Sequence, residues 1–148
     1  MTKLIDITFA SMRNTSDQDN NISPFGVILG RIVRAVDDEE VHSQEVLYDR
    51  PQGTEAMHPS GAHFIAQNKS LTYSVTKQLT INPDEMLMFY TDLHEGDDEH
   101  EGHYSGSYSC KVRHDDIVGF MDVPCHYSHA AGDYPTKMMI NYTVNLAA

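Results

Sequence analysis

The sequence predicts an all-β fold, a single antiparallel two-sheet β-sandwich of about eight strands. Three observations predict it. β-branched and aromatic residues recur in short alternating runs, turn residues interrupt those runs roughly every ten positions, and helical periodicity is scarce. At 148 residues the chain is long enough to bury a core without staples and short for two, so residues 1–148 are expected to form one domain.

Leu4–Phe9 alternates toward its end and is the expected first strand. The polar run from Arg13 to Asn21 cannot bury itself and is expected as a long loop. Phe25–Val36 is the second strand, with Gly26 and Gly30 marking a bulge or a close backbone approach. The acidic run Asp37–Glu40 is expected to end it. Gln44–Tyr48 is the third strand, closed by the turn Arg50-Pro51-Gln52-Gly53. In Leu71–Ile81 the apolar residues Leu71, Tyr73, Val75, Leu79 and Ile81 share one face. After the turn Asn82-Pro83-Asp84, Met86–Leu93 is apolar on both faces, as a central strand would be. Tyr104–Val112, Ile117–Val123 and Lys137–Leu146 complete the set.

A net charge of −12 disfavours nucleic acid, because a phosphate backbone demands a basic face and the Lys and Arg residues are scattered along the chain. Acidity of this kind favours solubility and the attraction of cations. No apolar run approaches the length of a membrane-spanning helix, and the first residues carry no secretory signal pattern, so cytoplasmic synthesis is the default expectation. Cys110 and Cys125 lack metal-site spacing; the ordinary reading is two separate thiols, with pairing left open.

The segment from Asp92 to His103 concentrates carboxylates and histidines, and no Lys or Arg occurs between Lys77 and Lys111. Crowding like charges costs repulsion that a bound cation relieves. Oxygen donors from Asp92, Asp97, Asp98 and Asp115 or Asp116 suit calcium, which takes six to eight oxygens in flexible geometry. Imidazoles at His94, His100 and His103 suit zinc, copper or nickel instead. The Asp-x-Asp-x-Asp-Gly loop of a helix-loop-helix calcium hand is absent, which directs a calcium site to sandwich loops.

Tyr90-Thr91-Asp92-Leu93-His94-Glu95-Gly96-Asp97, continued by His114-Asp115-Asp116-Ile117-Val118-Gly119, resembles the stretch in which synaptotagmin-type calcium-binding sandwiches, the C-two domains, run a strand into an acidic loop. The region Asp17-Gln18-Asp19-Asn20 through Phe25-Gly26 resembles small bacterial sandwich domains found with perforin-like proteins. The similarity covers residues 4 to 123. It implies Asp17, Asp19, Asp92, Asp97 and Asp116 as ligand positions, on loops at one end of the sandwich. The chain departs from the pattern by an insertion, Asp98–Arg113, which implies either two sites or a short hairpin, Tyr104–Arg113, that rejoins the clusters.

Other chemistries have thinner support. His58-Pro59-Ser60-Gly61-Ala62-His63 through Asn68 resembles the second metal motif of cupin jelly rolls, with His94, Glu99, His100 and His103 as the first half in reversed order. That implies a transition-metal enzyme as the alternative. Cys125-His126-Tyr127-Ser128-His129 with Cys110 has residue types that suit zinc or copper, although a polar loop after Pro124 is the commoner outcome for such a stretch. No Gly-x-Ser-x-Gly turn or phosphate-cradling glycine loop occurs, and the dispersed methionines fit a core. The reading is a non-enzymatic, acidic, calcium-binding sandwich. It is expected to act as a homo-oligomeric or self-assembling structural module, with a membrane surface or a glycan as other partners and no nucleic acid.

Overall fold

The structure, a computed structural model, describes residues 1–16, 24–50, 65–95, 104–129 and 136–147. Eight strands follow one another: β1 (Lys3–Asn14), β2 (Pro24–Arg34), β3 (Asp37–Arg50), β4 (Ser70–Ile81), β5 (Glu85–Glu95), β6 (Tyr104–Arg113), β7 (Phe120–His129) and β8 (Thr136–Leu146). They form two four-stranded sheets, in the orders β4-β1-β8-β7 and β3-β2-β5-β6, with antiparallel pairing throughout.

Side chains alternate in strands, so each sheet turns one face inward. From the first sheet Ile5, Ile7, Phe9, Ile140, Tyr142 and Val144 enter the core, and from the second Ile28, Ile32, Leu87, Phe89 and Leu93 meet them. Phe89 stacks on Tyr142 with ring centroids 4.0 Å apart and planes inclined by 10°. Such a pair adds about 0.5–1.5 kcal/mol beyond its buried area. Gly30 belongs to this contact: a Cβ there would collide with the Ile7 side chain of the facing sheet.

The expected apolar face of Leu71–Ile81 points inward, with the intervening Thr72, Ser74, Thr76, Gln78 and Thr80 exposed. β5 is a central strand, and Leu87, Met88, Phe89, Thr91 and Leu93 are buried. Four local expectations need correction. β1 runs on through Arg13 and Asn14, because the buried Asn14 side chain is satisfied: its Nδ2 donates to the Ile65 carbonyl at 2.8 Å and its Oδ1 accepts the Ser16 N–H at 3.0 Å. Asp37–Glu40 begins β3 after a tight turn, its charge offset where Arg34 Nη1 donates to Glu40 at 2.6 Å and Lys111 pairs with Asp38. Ile117 sits in a turn before β7. Cys125–His129 is strand, with Cys125 and Tyr127 buried and His126 exposed.

The two flanks are closed differently. β6 and β7, facing edge strands, are joined by a disulfide between Cys110 and Cys125, with Cα atoms 6.3 Å apart. The two cysteines are therefore not separate thiols. On the opposite flank Tyr48 of β3 meets Tyr73 of β4 edge to face at 5.6 Å, and Phe9 packs on both at 5.8 and 4.6 Å.

The two ends differ as well. At the turn end the connections are short and tied to one another. Ala35 N–H donates to the Asp84 carbonyl at 3.0 Å, Leu146 N–H to the Gly119 carbonyl at 3.2 Å, and Ala147 N–H to the Leu4 carbonyl at 2.9 Å. Lys3 Nζ donates to the carbonyls of His114 and Ile117, both at 2.8 Å. The buried His114 ring lies between the Met1 carbonyl, 2.5 Å from Nε2, and Asp115 Oδ1, 2.9 Å from Nδ1. The opposite, connection end is where residues 17–23, 51–64, 96–103 and 130–135 link the strands.

Candidate functional site

The strand register decides which acidic residues can share a site. Pro24 opens β2 opposite Glu95, the last residue of β5, and Glu95 also faces Tyr104, the first residue of β6. Segments 17–23 and 96–103 are therefore anchored on adjacent strands at the connection end. Asp17, Asp19, Asp97 and Asp98 belong to these segments and lie outside the described residues. The same holds for Glu99, His100, His103, His58 and His63, and the His94 side chain is likewise not described.

Asp92 is placed, on β5 opposite Val27 of β2 and Ser107 of β6. Its neighbours Thr91 and Leu93 point into the core, so the half-buried Asp92 lies on the outer face of the second sheet. It stands three residues before the end of β5, about 10 Å along the strand. Beside it the chain needs a glycine. Gly26 has φ +125°, and a Cβ there would run into the Asp92 carbonyl oxygen. The close backbone approach expected in β2 thus falls next to Asp92, the candidate carboxylate ligand of β5.

Asp115 and Asp116 are not part of this arrangement. Residues 104–113 form a full strand, and Arg113 at its far end faces Met86 near the start of β5. The level of Asp92 is that of Ser107, six residues earlier, so Asp115 and Asp116 sit at least about 20 Å farther along the sheet, at the turn end. Of the two expected alternatives, the hairpin that rejoins the clusters is corrected by the extended course of β6. Asp115 also has an internal partner: its bond to His114 holds its carboxyl below the usual carboxylate range, aided by the charges of His114, Lys3 and the chain's amino terminus.

The soft-metal arrangement is corrected too. Cys110 and Cys125 are bonded to each other and offer no thiolate, while the neighbouring His126 points outward from the first sheet. Among the described residues no group of three His, Cys, Asp or Glu is close enough together to hold a metal ion.

Sequence reasoning missed a basic corner. Arg13 faces Ser70 and Met139, and Met139 faces His126. One row further Asn14 N–H donates to the Lys69 carbonyl, and two rows further Thr15 N–H donates to the Lys137 carbonyl, both at 3.0 Å. Arg13, Lys69, Lys137 and His126 are all exposed. Along the chain these residues are far apart, and no local pattern marks them as neighbours.

No family model matches the chain, and no curated protein matches it in sequence. The fold is an antiparallel β-sandwich of two four-stranded sheets. It is similar to the first C-two domain of a plant extended synaptotagmin 1, over 99% of this chain and 96% of that one, with 6% sequence identity and a TM-score of 0.46. At that identity and TM-score the likeness says nothing of what this chain binds.

Proposed function

We propose that this chain is a non-enzymatic binding module that holds calcium at its connection end and assembles with further copies of itself. One observation carries the ion site: the Pro24 to Glu95 register anchors the two acid-rich segments on neighbouring strands at one end of the sandwich. Asp17 and Asp19 belong to one segment, Asp97 and Asp98 to the other. Carboxylates from both suit a hard cation that accepts several oxygens in flexible geometry. Asp92 flanks the site on the outer face, and Asp115 and Asp116 are no part of it.

A ligand that binds only the folded state raises the melting temperature, by an amount equivalent to about 2.7 kcal/mol at a hundredfold excess over its dissociation constant. Calcium is expected to raise it, and Asp97→Asn with Asp98→Asn to remove most of the rise, while Asp116→Asn leaves it intact. A rise with zinc and none with calcium would overturn the assignment in favour of the histidines.

A further inference from the structure

Seven large apolar side chains are exposed among the described residues, and five of them, Met1, Leu4, Val36, Val118 and Phe120, lie at the turn end. Exposed apolar residues scattered singly need no account; their concentration at one end does. Val118 and Phe120 are 82% and 65% exposed, on a stretch bounded by the exposed carboxylates of Asp116 and Asp122. That stretch is held in place through the Ile117 and Gly119 carbonyls, which accept Lys3 Nζ and the Leu146 N–H. It is a built surface, apolar in the middle, with the carboxylates of Asp115, Asp116 and Asp122 at its margins and the Lys3 ammonium held against its backbone.

The basic corner lies at the other end of the same sheet face. Phe120 and His126 are both on the outer side of β7, six residues and about 20 Å apart. The half-buried Met139 lies between Arg13 and His126, with Lys69 one row and Lys137 two rows beyond. Among the described residues these rows carry no Asp or Glu, in a chain with 22 acidic and 10 basic residues. The corner therefore matches the other end of the molecule in sign and in its apolar centre. Two complementary patches at opposite ends of one face cannot meet within a single molecule. They meet when a second copy is displaced along the strand direction, a heterologous contact that repeats as an open chain unless its rotation closes a ring.

We propose that copies of this chain associate head to tail, the Asp116–Asp122 stretch of one copy seated on the Arg13, Lys69 and Lys137 corner of the next. This rests on the self-assembly part of the proposed function and is independent of the ion site. Sedimentation velocity at rising protein concentration, at low salt and with either chelator or calcium, tests it. The wild type should form species heavier than the monomer, and high salt should dissolve them. Arg13→Glu with Lys69→Glu, and Asp116→Lys with Asp122→Lys, should each remain monomeric. An equimolar mixture of the two variants should regain the heavier species, because each then carries the patch the other lacks. All four positions are exposed, and unchanged melting curves check that the variants fold. Assembly that ignores both charge reversals, or a mixture that stays monomeric, overturns this contact and leaves self-assembly standing. A wild type that is monomeric in every condition overturns both.

Discussion

The two flanks of the sandwich meet the same demand by different means. Beyond the packing of their inner faces, the two sheets are joined at their edges, on one flank by a covalent bond between β6 and β7. On the other, Phe9, Tyr48 and Tyr73 interlock across β3 and β4. The disulfide acts mainly by restricting the unfolded chain, whereas the rings act in the folded state through packing. One flank should therefore answer to reductant and the other to substitutions that open a void.

The largest effect is expected on the aromatic flank. Phe9 is fully buried between the edge tyrosines, so Phe9→Ala should cost about 3–5 kcal/mol, read from denaturant unfolding. A loss below about 1 kcal/mol would mean that the ring is not what joins β3 to β4. Next in size is the covalent flank. Closing a loop of 15 residues is worth about 3 kcal/mol, so reduction, or Cys110→Ser with Cys125→Ser, should lower stability by about that much. A melting curve indifferent to reductant would show that the disulfide adds little to the packing between the sheets.

Smaller changes sharpen the contrast. Tyr48 Oη donates to the Pro24 carbonyl at 2.8 Å, so Tyr48→Phe should cost about 0.5–1.5 kcal/mol while leaving the sensitivity to reductant unchanged. Burial holds the hydroxyls of Tyr48 and Tyr73 neutral, raising both above the ordinary tyrosine range. Stability from a group raised in this way is complete below its unfolded value, about 10, and is lost as the pH climbs above it. Burial also raises Tyr127 and Tyr142, so alkaline unfolding alone does not separate the flanks. Replacing Tyr48 and Tyr73 together by Phe should flatten part of that alkaline slope, and the cysteine variants should leave the slope as it is. The smallest effect belongs to the exposed Lys111 to Asp38 pair, where Lys111→Ala should cost less than about 1 kcal/mol and even less at high salt.

The sequence by itself determined the strands. A period of two is a local signal, and it located the inward face of Leu71–Ile81 and the central position of Met86–Leu93 from residues that are neighbours in the chain. Where local composition pulled against the tertiary contacts, it misled. Arg13 and Asn14 look like loop but extend β1, since the fold supplies partners for the buried amide, and Asp37–Glu40 looks like a break but starts an edge strand whose cations come from β2 and β6. Of the candidate site, the acidic character of residues 92–103 was legible, and its membership was not. Only the register of β6 separates Asp115 and Asp116 from Asp92, and only the facing of two sheets joins Cys110 to Cys125. The basic corner, drawn from β1, β8 and the residue before β4, belongs to the same class. Adjacency between strands is a long-range property of strand order and register, and a pattern of period two says which way a side chain points without saying what it meets.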